Sequence, residues 1–291
     1  MHPAFLPLPR RLLYALKPAS WPKLLVPMAV GQVLGVMSSG TWSWGGAAVG
    51  VGFTAAMLCY LVLLNDWFDA RVDAIKRQMF PDAGSPKTIP DAILHPQTVL
   101  LAGIGFGLVG ASIALCGEIV TGRDGLALAG LMCLAMLPLY SAPPLRLNDR
   151  GTGELVEAAG VGVLLPWFNA YAQGGELVTR ELLLVTPGLT ALALASAIAS
   201  GLADEDSDRA GGKATITTQL NIAPAITAYS IASRPASGSI TCRPSPSARR
   251  WRCCCGNGAA WRRSARARSP APSRRSPATR SACTGRCGAA R

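Results

Sequence analysis

Long apolar stretches separated by short polar segments dominate the first 220 residues of the chain. Six of them approach the length of about 20 residues that a transmembrane helix needs, although the fourth is short. They cover residues 21–38, 45–64, 98–116, 125–140, 155–172 and 181–202. This pattern predicts an all-α fold, a polytopic transmembrane helix bundle with about six spans.

The composition excludes several other classes of protein. Hydrophobic residues make up 50% of the 291 residues and charged residues only 15%, whereas soluble domains carry about 25% charged residues. These values exclude a secreted disulfide scaffold, a disordered chain and an ordinary soluble enzyme. The sequence therefore predicts that the lipid bilayer is a partner of this chain.

Basic residues are distributed unequally between alternate loops. Twelve lie in the N-terminal segment or in the loops after the second, fourth and sixth stretches, and only Arg123 and Arg180 lie on the opposite side. The positive-inside rule then places the N-terminus in the cytoplasm. We expect an integral protein of a bacterial inner (plasma) membrane, with residues 1–20 as a cytoplasmic segment.

The C-terminal part differs from the rest of the chain. Residues 234–291 hold half of the chain's 28 basic residues, all of them arginine, and no acidic residue. Residues 221–291 are predicted to be an aberrant, disordered tail rich in Arg, Ser, Pro and Cys. Three interpretations remain open: a nucleic-acid-binding arm, a patch for anionic lipids, or a wrong reading frame in a GC-rich gene. We expect no specific nucleic-acid partner, because charge alone makes such a tail bind polyanions.

Two acidic clusters stand at the predicted cytoplasmic ends of apolar stretches. The first contains Asn65, Asp66, Asp69 and Asp73, and the second contains Asp204 and Asp208. Side chains four residues apart share one face of a helix, where like charges repel. Carboxylates within a membrane segment cost about 2.5–3.5 kcal/mol each, so a divalent cation is needed to offset them. Because Mg²⁺ prefers one or two carboxylates together with substrate phosphates, the clusters predict a magnesium-bound diphosphate.

Four basic residues are candidates for direct contact with the diphosphate. They are Arg77, Lys87, Arg146 and Lys213, all in predicted cytoplasmic segments. Arg and Lys side chains bind phosphate oxygens that carry no metal. The alternative for each residue is topology alone, since basic residues accumulate in cytoplasmic loops anyway.

The acidic motifs resemble those of a known family. Asn65-Asp66-x-x-Asp69-x-x-x-Asp73 is similar to the first aspartate motif of the UbiA superfamily of intramembrane prenyltransferases, and Asp204-x-x-x-Asp208 with the following residues to Lys213 resembles the second. Residues 140–147 are similar to the stretch between these motifs, and Lys17-Pro18-x-x-Trp21 resembles the segment before the first helix. The resemblance covers about residues 10–220.

The resemblance implies a fold and an activity. Family members have nine transmembrane helices around a central cavity, bind a polyprenyl diphosphate through Mg²⁺, and transfer the prenyl group to a lipophilic, usually aromatic, acceptor in quinone or pigment biosynthesis. Asp66, Asp69, Asp73, Asp204 and Asp208 would be catalytic and, with Asn65, would bind the metal. Asn65, Arg77, Lys87, Arg146 and Lys213 would bind the diphosphate.

The Arg-rich tail stands where the family has its last three helices. Residues 21–220 would therefore be a truncated prenyltransferase domain. Two other functions stay open: an inactive truncated membrane protein, and a cation-coupled membrane carrier that uses the aspartates as cation ligands.

Overall fold

In the computed structural model the described residues are 2–81 and 86–220, with residues 226, 230 and 231 in addition. Met1–Gly238 form one compact unit. Every described residue belongs to this unit. The predicted tail, residues 221–291, therefore lies outside the described residues at all but three positions.

The described residues form ten α-helices and no β-strand. The helices are α1 (Leu8–Ala15), α2 (Pro22–Ser39), α3 (Trp44–Phe68), α4 (Ala70–Met79), α5 (Pro96–Thr121), α6 (Leu126–Ser141), α7 (Gly153–Ala159), α8 (Leu165–Gly174), α9 (Arg180–Gly211) and α10 (Ile216–Gln219). A π-helical segment, Gly160–Leu164, joins α7 to α8. The predicted all-α class is confirmed.

Each of the six predicted apolar stretches coincides with a helix or, for residues 155–172, with the continuous helical run from α7 to α8. Among the described residues, four helices are long and apolar enough to cross a membrane: Trp44–Phe68, Pro96–Thr121, Gly153–Gly174 and Arg180–Gly211. Helix α6 is shorter, with 16 residues. Helix α2 is not among the four, because Lys23 and Gln32 lower its apolarity.

The main core lies between α3, α6 and α8. Phe53 of α3 stacks against Phe168 of α8 with ring centroids 4.1 Å apart, and both side chains are fully buried. Glycines let α2 approach α8 closely: a Cβ added to Gly35 would lie 2.5 Å from the carbonyl oxygen of Ala170. Small residues at helix contacts are typical of membrane bundles, because they allow backbones to pack closely.

Two contacts bring distant segments to the end of the bundle where α3 ends. Helix α4 packs on the last turn of α9, where a Cβ on Gly211 would lie 3.0 Å from Val72. The segment after α9 is held by the loop before α7, because the amide of Ala214 donates to the carbonyl of Asp149 at 3.2 Å. The ends of α3, α4, α7 and α9 therefore surround one region.

Candidate functional site

The first acidic cluster lies where α3 passes into α4. Asp69 ends α3 and begins α4, and the amide nitrogen of Asn65 donates to its carboxylate at 3.3 Å. Asp73 follows on the first turn of α4. Asn65, Asp69 and Asp73 line a cavity of about 240 Å³, which we call the acidic cavity.

The second acidic cluster lines the same cavity from the opposite side. Asp204 and Asp208 occupy the last two turns of α9, one turn apart on the same face. Asp208 is almost fully buried, whereas the side chain of Asp204 is 41% exposed. The fold thus brings carboxylates from two motifs more than 130 residues apart in sequence to one cavity.

Lysines from other segments pair with these carboxylates. The Lys213 ammonium lies 2.7 Å from Asp69, and the Lys87 ammonium lies 2.6 Å from Asp73. Lys76 pairs with Asp204 across the α4–α9 contact. Each pair joins two elements, so the lysines hold both the geometry and the charge balance of the cavity.

Two of these groups have shifted pKa values. Burial raises the pKa of the Asp69 carboxyl above its ordinary value, although the nearby Lys213 ammonium opposes the shift. For Lys87, burial acts to lower the pKa, but the hydrogen bond to Asp73 and the charge of Asp73 outweigh it and raise the pKa. Desolvation and opposite charge act against each other in this way at most buried ion pairs.

Four residues predicted for the site do not line the acidic cavity. Asp66 is only 3% exposed, pairs with Lys17 and accepts a hydrogen bond from the Thr88 hydroxyl at 2.6 Å. It does not line the acidic cavity but, together with Lys17, lines the second cavity that adjoins it.

The two predicted arginines have acidic partners of their own. Arg77 donates to Asp91 at 2.6 Å, and Arg146 donates to Asp149 at 3.0 Å. Neither arginine is among the described residues that line the acidic cavity. Of the four predicted basic contacts, only Lys213 lines that cavity, and Lys87 reaches it through Asp73.

Sequence reasoning missed four charged residues that line the acidic cavity. They are Lys23, Lys76, Glu154 and Glu157. Helical spacing could have indicated two of them, since Lys76 lies three residues after Asp73 and Glu157 three residues after Glu154, which places each pair on one helix face. No spacing links Lys23 to the aspartates; its ion pair with Glu157 is a tertiary contact.

The donor set suits Mg²⁺ that is shared with a substrate. Carboxylate and amide oxygens are hard ligands of the kind that Mg²⁺ prefers. Among the described residues, no three acidic, His or Cys side chains converge closely enough to hold an ion alone. Since Mg²⁺ usually takes one or two carboxylates and completes its shell with water and phosphate oxygens, residues spread around a cavity fit this mode.

A second cavity of about 270 Å³ adjoins the first. Lys23, Asn65, Tyr140 and Glu157 line both cavities, so they mark the junction. Most other lining residues of the second cavity are apolar residues of α2, α3, α6, α7 and the π-helical segment, and Lys17, Ser20 and Asp66 line it as well. We call it the apolar cavity. Together the two cavities offer a charged end and an apolar end to one elongated molecule.

The sequence matches a known family over most of its length. The model of the UbiA prenyltransferase family matches residues 24–240. Chlorophyll synthase of Arabidopsis thaliana is 29% identical over 203 residues, which are 67% of this chain and 50% of that protein. Probable homogentisate phytyltransferase 2 of Oryza sativa subsp. japonica is 28% identical over 178 residues, 57% of this chain and 44% of that protein. The chain spans about half the length of these plant relatives.

Solved structures agree on the fold. A UbiA homolog from Archaeoglobus fulgidus, bound to DMAPP and Mg²⁺, superimposes with a TM-score of 0.60 at 19% identity and covers 76% of this chain and 73% of its own. The same homolog bound to GPP and Mg²⁺ gives a TM-score of 0.59 at 18% identity. At this identity the likeness establishes the fold. The four apolar helices and the match of the family model to well over half of the residues show that this chain is an integral membrane protein belonging to the UbiA prenyltransferase family.

Proposed function

We propose that the protein transfers a polyprenyl group from a prenyl diphosphate to an aromatic or related lipophilic acceptor, with Mg²⁺ and within the membrane. One observation carries the proposal: the two aspartate motifs line one acidic cavity that continues into an apolar cavity. A prenyl diphosphate has the same division into a charged head and an apolar chain. The structural neighbours bound to DMAPP or GPP with Mg²⁺ support the choice of ligand.

The acidic cavity would hold the diphosphate. Asn65, Asp69, Asp73, Asp204 and Asp208 would bind Mg²⁺, whose charge would neutralise the leaving diphosphate. Lys213 and Lys76 already stand beside Asp69 and Asp204. With Mg²⁺ bound by the carboxylates, these ammonium groups would be available to contact phosphate oxygens that carry no metal.

The apolar cavity would hold the prenyl chain and keep water from it. Transfer would break the allylic C–O bond, with the electron pair leaving on the diphosphate, and the acceptor would capture the resulting cation and, where it is an aromatic ring or a phenol, release a proton. Water would compete for that cation, so exclusion of water is part of catalysis. Tyr140 and Asn65 line both cavities and would flank the reacting carbon.

The acceptor and the orientation belong to the same proposal. The relatives named chlorophyll synthase and homogentisate phytyltransferase support a lipophilic acceptor of pigment or quinone biosynthesis. The distribution of Lys and Arg supports placing the aspartate motifs on the cytoplasmic side. The relatives' names refer to chloroplasts and lend no support to a bacterial inner membrane.

The test is diphosphate release by the full chain in proteoliposomes, with GPP as donor. We expect release that requires Mg²⁺ and is lost with a chelator. Asp69→Asn and Asp208→Asn should each lower the rate about 10³-fold, because metal charge stabilisation is worth several kcal/mol and each 1.36 kcal/mol is tenfold in rate. Asp206→Asn is the matched control, since Asp206 is an exposed carboxylate on the same turn of α9.

Two results would contradict the proposal. Equal release by wild type, Asp69→Asn and Asp208→Asn would show that the aspartate cavity does not act on the donor. Cation-coupled flux across the vesicles without release of diphosphate would favour a carrier instead. If diphosphate is released, mass spectrometry of the product shows whether a phenolic or a carboxylic acceptor, each supplied in turn, has been prenylated.

A further inference from the structure

Three walls of the apolar cavity become less polar with distance from the acidic cavity, while the Lys17–Asp66 ion pair lines the cavity at another place. On three of its walls, a polar residue at the junction is followed four residues deeper by an apolar one. The pairs are Asn65 with Leu61 on α3, Tyr140 with Met136 on α6, and Glu157 of α7 with Val161 of the π-helical segment. Four residues are about one helical turn of 5.4 Å. The apolar residues therefore form a deeper ring about one turn below the junction.

The buried core forms part of the cavity wall. Leu24 and Leu137 line the cavity and are also members of the main core cluster. Leu134, Leu165 and Phe168 belong to the same cluster, do not line the cavity and are 8% exposed or less. Because protein interiors are close-packed, a chain that reaches this depth meets a wall rather than open space.

One position in the wall has no side chain. Gly160 lines the cavity, and a Cβ added there would lie 3.3 Å from Cγ and 3.5 Å from Cβ of Met136. Gly160 begins the π-helical segment, a type of irregularity that is frequent at functional sites. Space at the deep end therefore depends on the absence of a side chain at 160 and on the volume of Met136.

The backbone that carries Gly160 is packed against α9 and has little room to move away from the cavity. A Cβ on Gly162 would lie 2.5 Å from the Cα of Thr190 in α9, so the backbone of the π-helical segment already contacts α9. A larger side chain at 160 must then occupy cavity space. Backbone contact on one side and the cavity on the other make this wall a fixed boundary.

We propose that Gly160 and Met136 set the length of the prenyl chain that the protein accepts. This inference rests on the proposed function, since it takes the occupant of the apolar cavity to be the chain of the diphosphate donor. A side chain at 160 shortens the cavity and selects against long donors. Truncation of Met136 deepens the cavity and favours them.

The experiment is a competition between GPP and the twice-longer geranylgeranyl diphosphate in proteoliposomes, with the ratio of the two prenylated products as the readout. Gly160→Leu should lower the share of the long product about tenfold relative to the short one, which corresponds to about 1.4 kcal/mol. Met136→Ala should raise that share severalfold. In the double variant Gly160→Ala/Met136→Ala, the loss at 136 makes room for the new Cβ, so its ratio should lie nearer to wild type than that of Gly160→Ala alone.

Matched controls place the same changes outside the cavity. A Cβ on Gly105 of α5 has no neighbour within 4 Å, so Gly105→Leu adds the same volume in open space. Met132→Ala removes the same side chain one turn earlier on α6, where Met132 is 47% exposed. Both controls should leave the product ratio unchanged. Should Gly160→Leu fail to fold, Gly160→Ala and Met136→Ala carry the test.

The outcomes separate this inference from the proposed function. If wild type releases no diphosphate from either donor, both fail. If wild type turns over both donors and neither Gly160→Leu nor Met136→Ala changes the product ratio, the inference alone is overturned. A change in the KM for the acceptor at a constant donor ratio would also overturn it, because the apolar cavity would then hold the acceptor.

Discussion

Two polar regions lie within this apolar bundle, and they are built in different ways. One is the acidic cavity, where carboxylates and lysines from four elements surround open space. The other is an amide cluster in the middle of the bundle, formed by Gln32, Thr54 and Asn169. There the Gln32 amide donates to Asn169 at 3.0 Å, and the Asn169 amide donates to the carbonyl of Leu165 at 3.0 Å.

The difference indicates what each region is for. The amide cluster consists of neutral groups that bond to one another in a packed interior, which stabilises the contact between α2, α3 and α8. The acidic cavity concentrates charges that are expensive to bury and leaves room between them for a ligand. Neutral polar groups in a packed interior serve the fold, whereas charges around a cavity serve binding.

The largest expected effect tests the charged region. Lys213→Met should lower diphosphate release about 100-fold, or about 2.7 kcal/mol, because it removes a cation from a water-poor site where charge develops. The substitution also leaves the Asp69 carboxylate without its ion-pair partner and should lower stability, so release is compared per folded molecule. Arg209→Met is the control, because the Arg209 side chain is 60% exposed and pairs with Glu205 outside the cavity. A large loss of stability with normal diphosphate release would show that Lys213 serves the fold and not binding, which contradicts the distinction between the two regions.

The next effect tests the packed region. Gly50→Ala should destabilise the protein by about 1–3 kcal/mol, because the new Cβ would overlap Gln32 and Asn169 and force them apart. Release per folded molecule should stay within about twofold. Gly52→Ala is the matched control two residues along α3, where the nearest atom, on Ile113, lies at 3.6 Å. Equal melting temperatures for the two variants, measured in detergent, would refute the claim of tight packing.

The smallest effect concerns Glu154, which both stabilises a contact of the fold and lines the acidic cavity. One oxygen of Glu154 accepts a hydrogen bond from the amide of Ile216 at 2.8 Å, while the side chain lines the acidic cavity. Glu154→Ala should cost about 1 kcal/mol of stability, the typical worth of one such bond. Glu154→Gln keeps an acceptor oxygen and should retain that stability. Equal unfolding curves for both variants would show that the bond contributes nothing.

Much of the fold could be predicted because its signals are local. The length and apolarity of a stretch decide whether it forms a membrane helix, and the stretches at 45–64, 98–116 and 181–202 lie within α3, α5 and α9. The four-residue spacing of Asp69 and Asp73, and of Asp204 and Asp208, likewise follows from the geometry of a single helix. Even so, α3 and α9 extend past their apolar stretches to carry the acidic residues.

The partners of the charged residues could not be predicted in the same way. Spacing and loop position gave Arg77 and Arg146 the same standing as Lys213, yet in the structure the arginines pair with Asp91 and Asp149 while Lys213 pairs with Asp69. An ion pair depends on which segments the fold brings within a few ångströms. Loop composition does not contain that information.

The sequence by itself determined the helical class, the two aspartate motifs and the family, because each depends on residues close together along the chain. Only the tertiary structure decided that Asp66 turns to Lys17 and Thr88. It also decided that Lys23 and Lys76 line the acidic cavity and that Gly160 lies against Met136 in the wall of the apolar one. These are contacts between side chains distant in sequence, and packing of whole helices fixes them.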